Sequence, residues 1–186
     1  MQAEQTPVAN ASQQAILSIA NNNPHVLQDY RQVVFEQYKM RGWLDPSQYP
    51  DGQVIDEFDL HADVLVVQSG TETVAGMRIV RDSEKGFPHE NLLDLSQFRP
   101  DGYYEDPVRR KLAKTSRGQM AEITKLVGKK RQRFLTYDLA KLIYWYAKQH
   151  DVDIYLMVVD VEFFLLCDKL GIPITPIGVP VQCEGS

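Results

Sequence analysis

The amino-acid sequence predicts an α+β fold in which helices pack on a mixed β-sheet. Strand-forming runs lie close together between residues 54 and 81, separated by turn residues, which is typical of antiparallel pairing. In the second half of the chain such runs alternate with amphipathic helical segments, which is typical of strands joined by helical crossovers. With 186 residues the chain can bury one sizeable core, so we expect a single domain over residues 13–186 after a flexible polar segment over 1–12.

The first half of the chain begins with a helix and continues as an antiparallel meander. Asn23 and Pro24 are typical of an N-cap and a first-turn proline, and Gly42 ends a helix whose apolar residues recur at three- and four-residue spacing. Strands are predicted over residues 54–58, 63–68 and 71–81. Residues 82–116 then form a long irregular insertion with short helices near 90–95 and 108–114, and such insertions commonly serve as a lid or a partner-binding surface.

The second half of the chain is more regular. A strand begins at Gln119, and an amphipathic helix is predicted over residues 134–150. A continuous apolar run over 153–160 is typical of a strand covered on both faces. A further helix over 161–170 ends at Gly171 and Pro173, and residues 174–181 supply a last strand.

The distribution of charge restricts the class of partner. The formal net charge of −5 argues against general nucleic-acid binding, which usually shows as a net basic domain. Between residues 107 and 133, however, ten of the chain's 20 lysines and arginines stand against the single acid Glu122. A local cationic patch on an acidic protein indicates a specific acidic partner.

Cysteine and histidine usage does not indicate a metal centre or a disulfide framework. The two cysteines, Cys167 and Cys183, fit a reducing compartment, and the four histidines have no metal-ligand spacing. The sequence has no secretory signal pattern and no apolar run long enough to cross a bilayer. We therefore expect a cytoplasmic protein without a metal.

The stretch from Gln119 to Arg133 is the strongest candidate for a functional segment. Strand alternation places Met120, Glu122, Thr124 and Leu126 on one face and Ala121, Ile123, Lys125 and Val127 on the other. A carboxylate on so apolar a strand is costly unless it is solvated, paired or used. The cationic loop that follows leads into a helix N-terminus, an arrangement suited to an anion, but a core strand with a solvated basic turn explains the pattern equally well.

Other candidates each have a structural alternative. Arg31 shares a helix face with Phe35, although a helix arginine is usually solvated. Trp43 in the following loop either packs on the helix or walls a pocket. Asp56, Asp59 and Arg78 form either an ordinary ion pair or part of a site.

The order of elements resembles the acetyltransferase-like fold, a three-layer architecture around a central twisted mixed sheet, with the strand of the candidate segment as its fourth. In acyl-CoA users of that fold a Gly-rich loop after this strand cradles the pyrophosphate. Here a single glycine, Gly128, is followed by bulky basic residues. This loop favours a thioester carried on acyl carrier protein, an acidic partner that the cationic patch would complement. The carrier-binding residues would be Arg109, Arg110, Lys129, Lys130, Arg131 and Arg133.

The order and spacing of these residues resemble a known family. Arg31, Phe35, Trp43, Asp56, Asp59, Gly76-Met-Arg78 and Glu122-Ile-Thr-Lys125 are similar to the autoinducer synthases that make acyl-homoserine lactones. They are more similar to the long-chain N-acyl amino acid synthases, which include enzymes making N-acyl tyrosine. The resemblance covers about residues 25–180. Two positions depart from the lactone synthases, which have Arg at position 125 and usually Glu at 54, where this chain has Lys and Val.

The resemblance implies direct acyl transfer to the α-amine of an amino acid, tyrosine or another aromatic, with no cofactor beyond the carrier's phosphopantetheine. Glu122 is the expected base, and strand backbone N–H groups the expected oxyanion donors. Arg78 and Arg31 are expected at the acceptor's carboxylate, with Lys125 also in the substrate site. Asp56 and Asp59 would order the loop or the amine, and Phe35 and Trp43 would line the acyl-chain cavity. Two alternatives are acyl-homoserine lactone synthesis from S-adenosylmethionine and an inactive acyl- or carrier-binding module.

Overall fold

A computed structural model of the chain describes residues 15–129 and 135–178. In these residues five strands form one sheet in the order of the chain: β1 (Ala15–Ile19), β2 (Ala62–Ser69), β3 (Glu72–Arg81), β4 (Met120–Gly128) and β5 (Ile154–Met157). The first three pairings are antiparallel and the pairing of β4 with β5 is parallel. The helices are α1 (Pro24–Arg41), α2 (Pro107–Lys114), α3 (Leu135–His150) and α4 (Val161–Lys169). The predicted mixed sheet is therefore confirmed.

Apolar side chains cover both faces of the sheet and give the molecule its layers. On one face, Leu65 and Ile123 pack with Leu142 and Tyr146 of α3. On the other face, the alternate strand residues pack with α1, as in the cluster of Val64, Val66, Val127, Tyr30 and Val34. The insertion and α2 extend the α1 layer through a third cluster, which contains Phe87, Phe98, Leu112, Met120 and Leu156. Any site between these layers is bounded by the sheet beneath and by α1 or the insertion above.

Local signals placed the first helix correctly. Asn23 caps α1 by accepting a hydrogen bond from the backbone N–H of Val26 at 3.3 Å, and Gly42 ends the helix with φ +73°. The predicted hairpin between β2 and β3 is also present. The helix predicted over 134–150 is observed from Leu135, with residue 134 outside the described residues. None of the helices in the described parts of the chain is long and apolar enough to cross a membrane.

Three predicted features differ in the structure. The strand over residues 54–58 is wrong, because Asp56 caps a 3₁₀-helix over Glu57–His61 in a reciprocal capping box with Asp59. The last strand over 174–181 is absent from its described part, 174–178, and its remainder lies outside the described residues, as do residues 1–12. Strand β1, which pairs with β2 over its full length, was not predicted.

A β-bulge after Thr124 changes which face of the sheet the following β4 side chains point to. Arg78 lies opposite Thr124 but Gly76 lies opposite Val127, so Lys125 and Leu126 together face a single residue of β3. Lys125 has φ +48°, the left-handed region that non-glycine residues rarely adopt. Lys125 therefore projects on the face of Glu122 and Thr124, and its prediction on the opposite face is wrong. The buried hydroxyl of Tyr30 donates a 2.8 Å hydrogen bond to the carbonyl of Lys125 and holds the bulge in place.

Candidate active site

A cavity of about 330 Å³ opens where β4 and β5 part. The two strands pair only from Met120 and Ile154 to Ile123 and Met157. Beyond that point the end of α1, the loop after it and the start of α4 close the cavity. The lining residues are Tyr38, Arg41, Trp43, Ile123, Thr124, Lys125, Leu126, Met157, Val158, Val159, Asp160, Glu162, Phe163 and Leu166. The walls thus combine apolar side chains with the polar residues of the β4 bulge.

Two cations and two carboxylates form a buried network beside this cavity. The Nη1 of Arg78 contacts Asp56 at 2.5 Å and Asp59 at 3.1 Å, and its Nε donates to Thr124 Oγ1 at 2.8 Å. The Nζ of Lys125 lies 3.0 Å from Asp59 and 3.1 Å from Asp56 and donates to the carbonyl of Val54 at 2.8 Å. Predicted site residues distant in sequence are therefore brought together.

The network perturbs the ionisation of its members. Burial disfavours the charged form of Asp56, but the hydrogen bond from Arg78 and the charges of Lys125 and Arg78 outweigh it and lower the pKa to about 2. Burial also lowers the pKa of the Lys125 ammonium, together with the repulsion of Arg78 and against the attraction of Asp59 and Asp56. Burial raises the pKa of the Tyr30 hydroxyl well above its ordinary value. Asp56 therefore stays ionised at neutral pH.

Glu122 contacts a residue of the insertion, His89, that the sequence analysis did not single out. Its carboxylate is 3% exposed and contacts His89 twice: Oε2 accepts the backbone N–H at 3.1 Å, and Oε1 contacts the ring nitrogen Nδ1. The His89 side chain is 40% exposed. No sequence pattern pointed to this histidine, which lies in the insertion 33 residues before Glu122.

The arginines and aromatics predicted for the substrate site separate into two groups. Trp43 lines the cavity, packs edge-on against Tyr38 at 5.4 Å and lies under the guanidinium of Arg41 at 4.6 Å. Arg41, which was not predicted, also forms a 3.2 Å ion pair with Asp160, another lining residue. Phe35 is not a lining residue; it is buried against the loop that contains Tyr49, with ring centroids 6.5 Å apart.

Arg31 differs from Arg78 in its hydrogen bonding. Its Nε is buried and has no partner among the described residues. The contacts of Arg78, by contrast, are directed to Asp56, Asp59 and Thr124. Of the two arginines, Arg31 is therefore the one with an unpaired buried nitrogen among the described residues.

The basic residues between 107 and 133, predicted as one patch, include residues near both ends of β4. Lys111 contacts Asp153 at 3.6 Å, ahead of β5, and Arg109 donates to the carbonyl of Pro176, so α2 lies near the start of both strands. Lys129 follows the nine-residue β4 at its other end and pairs with Glu72 at 2.5 Å. Nine strand residues span roughly 27 Å. Lys111 and Lys129 therefore lie near opposite ends of β4. The predicted carrier contacts Lys130, Arg131 and Arg133 lie outside the described residues.

Among the described residues no group of three or more His, Cys, Asp or Glu side chains could hold a metal ion. The loop after β4 is described only as far as Lys129.

Comparison with known proteins adds to this geometry. A family model described as N-acyl amino acid synthase FeeM matches residues 29–164. The solved structure of FeeM from uncultured soil microbes has a TM-score of 0.59 and 16% identity, covering 82% of this chain and 75% of that chain. BjaI, a CoA-dependent acyl-homoserine lactone synthase solved with SAM and isopentyl-CoA, has a TM-score of 0.70 and 16% identity, covering 92% and 79%.

An acetyltransferase shares the same architecture. A GCN5-related N-acetyltransferase from Ralstonia eutropha JMP134 has a TM-score of 0.50 and 13% identity, covering 90% of this chain and 97% of that chain. No curated protein sequence matches the chain. At these identities the solved structures share the fold of this chain, and the predicted acetyltransferase-like fold is confirmed.

Proposed function

We propose that this chain, which belongs to the family of N-acyl amino acid synthase FeeM, transfers a long-chain fatty acyl group from acyl carrier protein to the α-amine of an amino acid. Membership of that family makes it an acyltransferase with N-acyltransferase activity. The proposal is the finer assignment. The acyl donor is bound to acyl carrier protein, and the acceptor is an aromatic amino acid, with tyrosine as the first candidate. The observation that carries it is the cavity where β4 and β5 part, with Thr124 and Lys125 on its polar wall.

The parting of β4 and β5 provides backbone polar groups for a thioester carbonyl and apolar walls for its acyl chain. Two neighbouring strands that diverge leave backbone N–H and C=O groups without strand partners, and these can bind a carbonyl oxygen or an amide chain. An N–H group aimed at the position of the developing oxyanion would stabilise the tetrahedral intermediate. The apolar walls, among them Trp43, Met157 and Phe163, would hold the acyl chain.

The acceptor amino acid would bind on the α1 side of β4. Its carboxylate is best met by Arg31, whose Nε is buried without a described partner. Arg78 and Lys125 instead hold Asp56 and Asp59, and so keep the β4 bulge in position for the substrates. Because both carboxylates are already paired with buried cations, the site is poorly suited to a cationic acceptor such as S-adenosylmethionine. This favours an amino acid over lactone formation.

The donor is proposed to be protein-borne because the loop after β4 begins with one glycine and continues with basic side chains. If the carrier docks at this end of β4, replacing Lys129 with Glu should raise the KM for acyl carrier protein and leave kcat unchanged. Arg110→Glu is the matched control, since Arg110 lies on α2 near the opposite end of the strand. Equal effects of the two substitutions would contradict docking at the β4 end.

A reconstituted assay tests the proposed function. The purified protein, given long-chain acyl carrier protein and each of the twenty amino acids in turn, should release carrier thiol and form an amide, fastest with an aromatic acceptor. Absence of an amide with every amino acid would refute the proposal. Product formation that requires S-adenosylmethionine and releases methylthioadenosine would assign a lactone synthase. Substitution of acyl-CoA for the carrier distinguishes the two donors.

A further inference from the structure

The loop Gly86–Glu90 is built to hold His89 against Glu122. Both carboxylate oxygens of Glu122 are engaged by this one residue, through its backbone N–H and its ring Nδ1. An ionised carboxylate is an acceptor only, so the Nδ1 in contact with it carries the proton. In the neutral ring Nε2 is then the atom with a free lone pair, and it has no hydrogen-bond partner among the described residues.

A second layer of contacts fixes this loop. Arg117, just ahead of β4, donates to both oxygens of Glu90 at 2.5 and 2.8 Å and to Asp82 at 2.8 Å. Glu90 Oε2 in turn accepts the backbone N–H of Phe87 at 3.0 Å, and the Arg117 guanidinium lies 4.9 Å from the Phe87 ring. The hydrogen bonds of Arg117 lower the pKa of Glu90 and so favour its ionised form. These contacts fix the residues on either side of His89 without involving Glu122.

Gly86 completes the loop because any other residue would be strained there and would displace the Glu90 carboxylate. Its φ is +70°, and an added Cβ would lie 2.2 Å from Glu90 Oε2. The segment Gly86-Phe87-Pro88-His89-Glu90 is therefore specialised in both backbone and side chains.

We propose that His89 is the catalytic base of the acyl transfer and that Glu122 is the positioning residue that fixes its ring. This assignment rests on the proposed function. Glu122, 3% exposed and with both oxygens engaged, has little access to a substrate proton, whereas His89 is 40% exposed. Glu122 lies two residues before Thr124 on the same face of β4, about 7 Å along the strand. His89 is proposed to reach the acceptor from this side of β4.

The reaction balances with this assignment. The acceptor enters as an ammonium ion and loses one proton to Nε2 of His89, which passes it to water. The neutral amine attacks the thioester carbon, so a C–N bond forms and the carbonyl electron pair moves to oxygen. His89 then takes the second proton from nitrogen and returns it to sulfur as the C=O bond re-forms and the C–S bond breaks. The products are the amide, the carrier thiol and one released proton.

The charged groups in contact with His89 or with its loop come from four parts of the chain. They are Glu122 of β4, Glu90 beside it in the loop, Asp82 after β3 and Arg117 ahead of β4. Lys85, just before this loop, pairs with Glu57 of the 3₁₀-helix over Glu57–His61, and both side chains are exposed. Since Arg117 is shared by Asp82 and Glu90, Glu122 is the carboxylate left to act on the ring.

The pH dependence of kcat for three variants tests this inference. His89→Asn keeps a donor for Glu122 at the position of Nδ1 but cannot accept a proton, so kcat should fall by about 10² to 10⁴ and the acid limb should disappear. Glu122→Gln should lower kcat but keep an acid limb, because the ring remains. His25→Asn, an exposed histidine on α1, should behave as wild type. Near-wild-type activity of His89→Asn with loss of the acid limb in Glu122→Gln would overturn the inference.

A measurement on the unmodified protein covers the case in which a variant does not fold. The ¹⁵N chemical shifts of the neutral His89 ring should show the proton on Nδ1 and none on Nε2. A proton on Nε2 with Nδ1 bare would overturn the inference. The proposed function fails separately, if wild-type protein makes no amide with any acceptor.

Discussion

Replacement of Asp59 by Asn would remove the anion that holds two buried cations. Asp59 Oδ2 accepts from the Asp56 backbone N–H at 2.7 Å, from Arg78 at 3.1 Å and from Lys125 at 3.0 Å. An amide oxygen could keep the backbone hydrogen bond, but Arg78 and Lys125 would share one remaining carboxylate. Removal of one partner from a buried ion pair costs about 3–5 kcal/mol. We expect Asp59→Asn to lose that much of its free energy of unfolding.

The loss in free energy of unfolding should be larger for the carboxylate that is more deeply buried. Asp59 is 6% exposed and Asp56 is 39% exposed, so water can replace part of what Asp56 provides. Asp56→Asn should therefore cost about 1 kcal/mol. Glu57→Gln is the control in the same segment, since its pair with Lys85 is exposed on both sides and should contribute less than about 1 kcal/mol.

Urea unfolding followed by circular dichroism would measure the three variants against the wild type under one buffer condition. A loss below about 1 kcal/mol for Asp59→Asn, or a larger loss for Asp56→Asn, would refute the view that this network is a buried unit.

Three further predictions concern the same region. Because the folded-state pKa of Asp56 is about 2, below its ordinary 3.8, its contribution to stability is complete above pH 4 and is lost as pH falls through 2; Asp56→Asn should flatten acid unfolding in that window. Tyr30→Phe should cost about 1–3 kcal/mol in urea unfolding, because the Lys125 carbonyl loses its hydroxyl donor. Gly76→Ala should cost about 1–3 kcal/mol, because the added Cβ would lie 2.7 Å from the Tyr30 ring and 2.8 Å from the Leu65 carbonyl; unchanged stability would exclude that close approach.

Several elements could be predicted because their signals are local. The cap at Asn23, the terminal Gly42 and the apolar stripe of α1 lie within one helix, and no distant contact is needed to read them. The same holds for the hairpin of β2 and β3. The resemblance to a known family implied that Arg78, Asp56, Asp59 and Lys125 belong to one site, and the structure brings them together.

Other features depend on contacts that a local pattern does not contain. Residues 54–58 alternate like a strand, but Asp56 and Asp59 cap a 3₁₀-helix instead, and their charges are held by β3 and β4. The face of Lys125 depends on the bulge, which the Tyr30 hydroxyl stabilises from a helix 95 residues away in sequence. A strict two-residue alternation cannot reveal such a shift.

The contact of His89 at the candidate site likewise could not be predicted from a local sequence pattern. A single histidine in an irregular insertion has no periodicity and no spacing to a ligand motif, so its type alone does not distinguish it from the chain's other histidines. Its importance comes from its contact with Glu122 across 33 residues. Gly86 and Glu90 are visible in the sequence. Their role in fixing the loop depends on the contact of Glu90 with Arg117, which the sequence does not show.

Mass spectrometry of lipid extracts from cells expressing the protein tests acyl transfer to an amino acid most directly, because the host supplies carrier thioesters and amino acids together. Wild-type protein should produce a fatty acyl amide whose mass gives both chain length and acceptor. The most abundant product should contain an aromatic amino acid. The His89→Asn and Glu122→Gln variants, expressed at equal levels, should accumulate far less. Extracts with no new acyl amide, or with an acyl-homoserine lactone in its place, would contradict the proposed function.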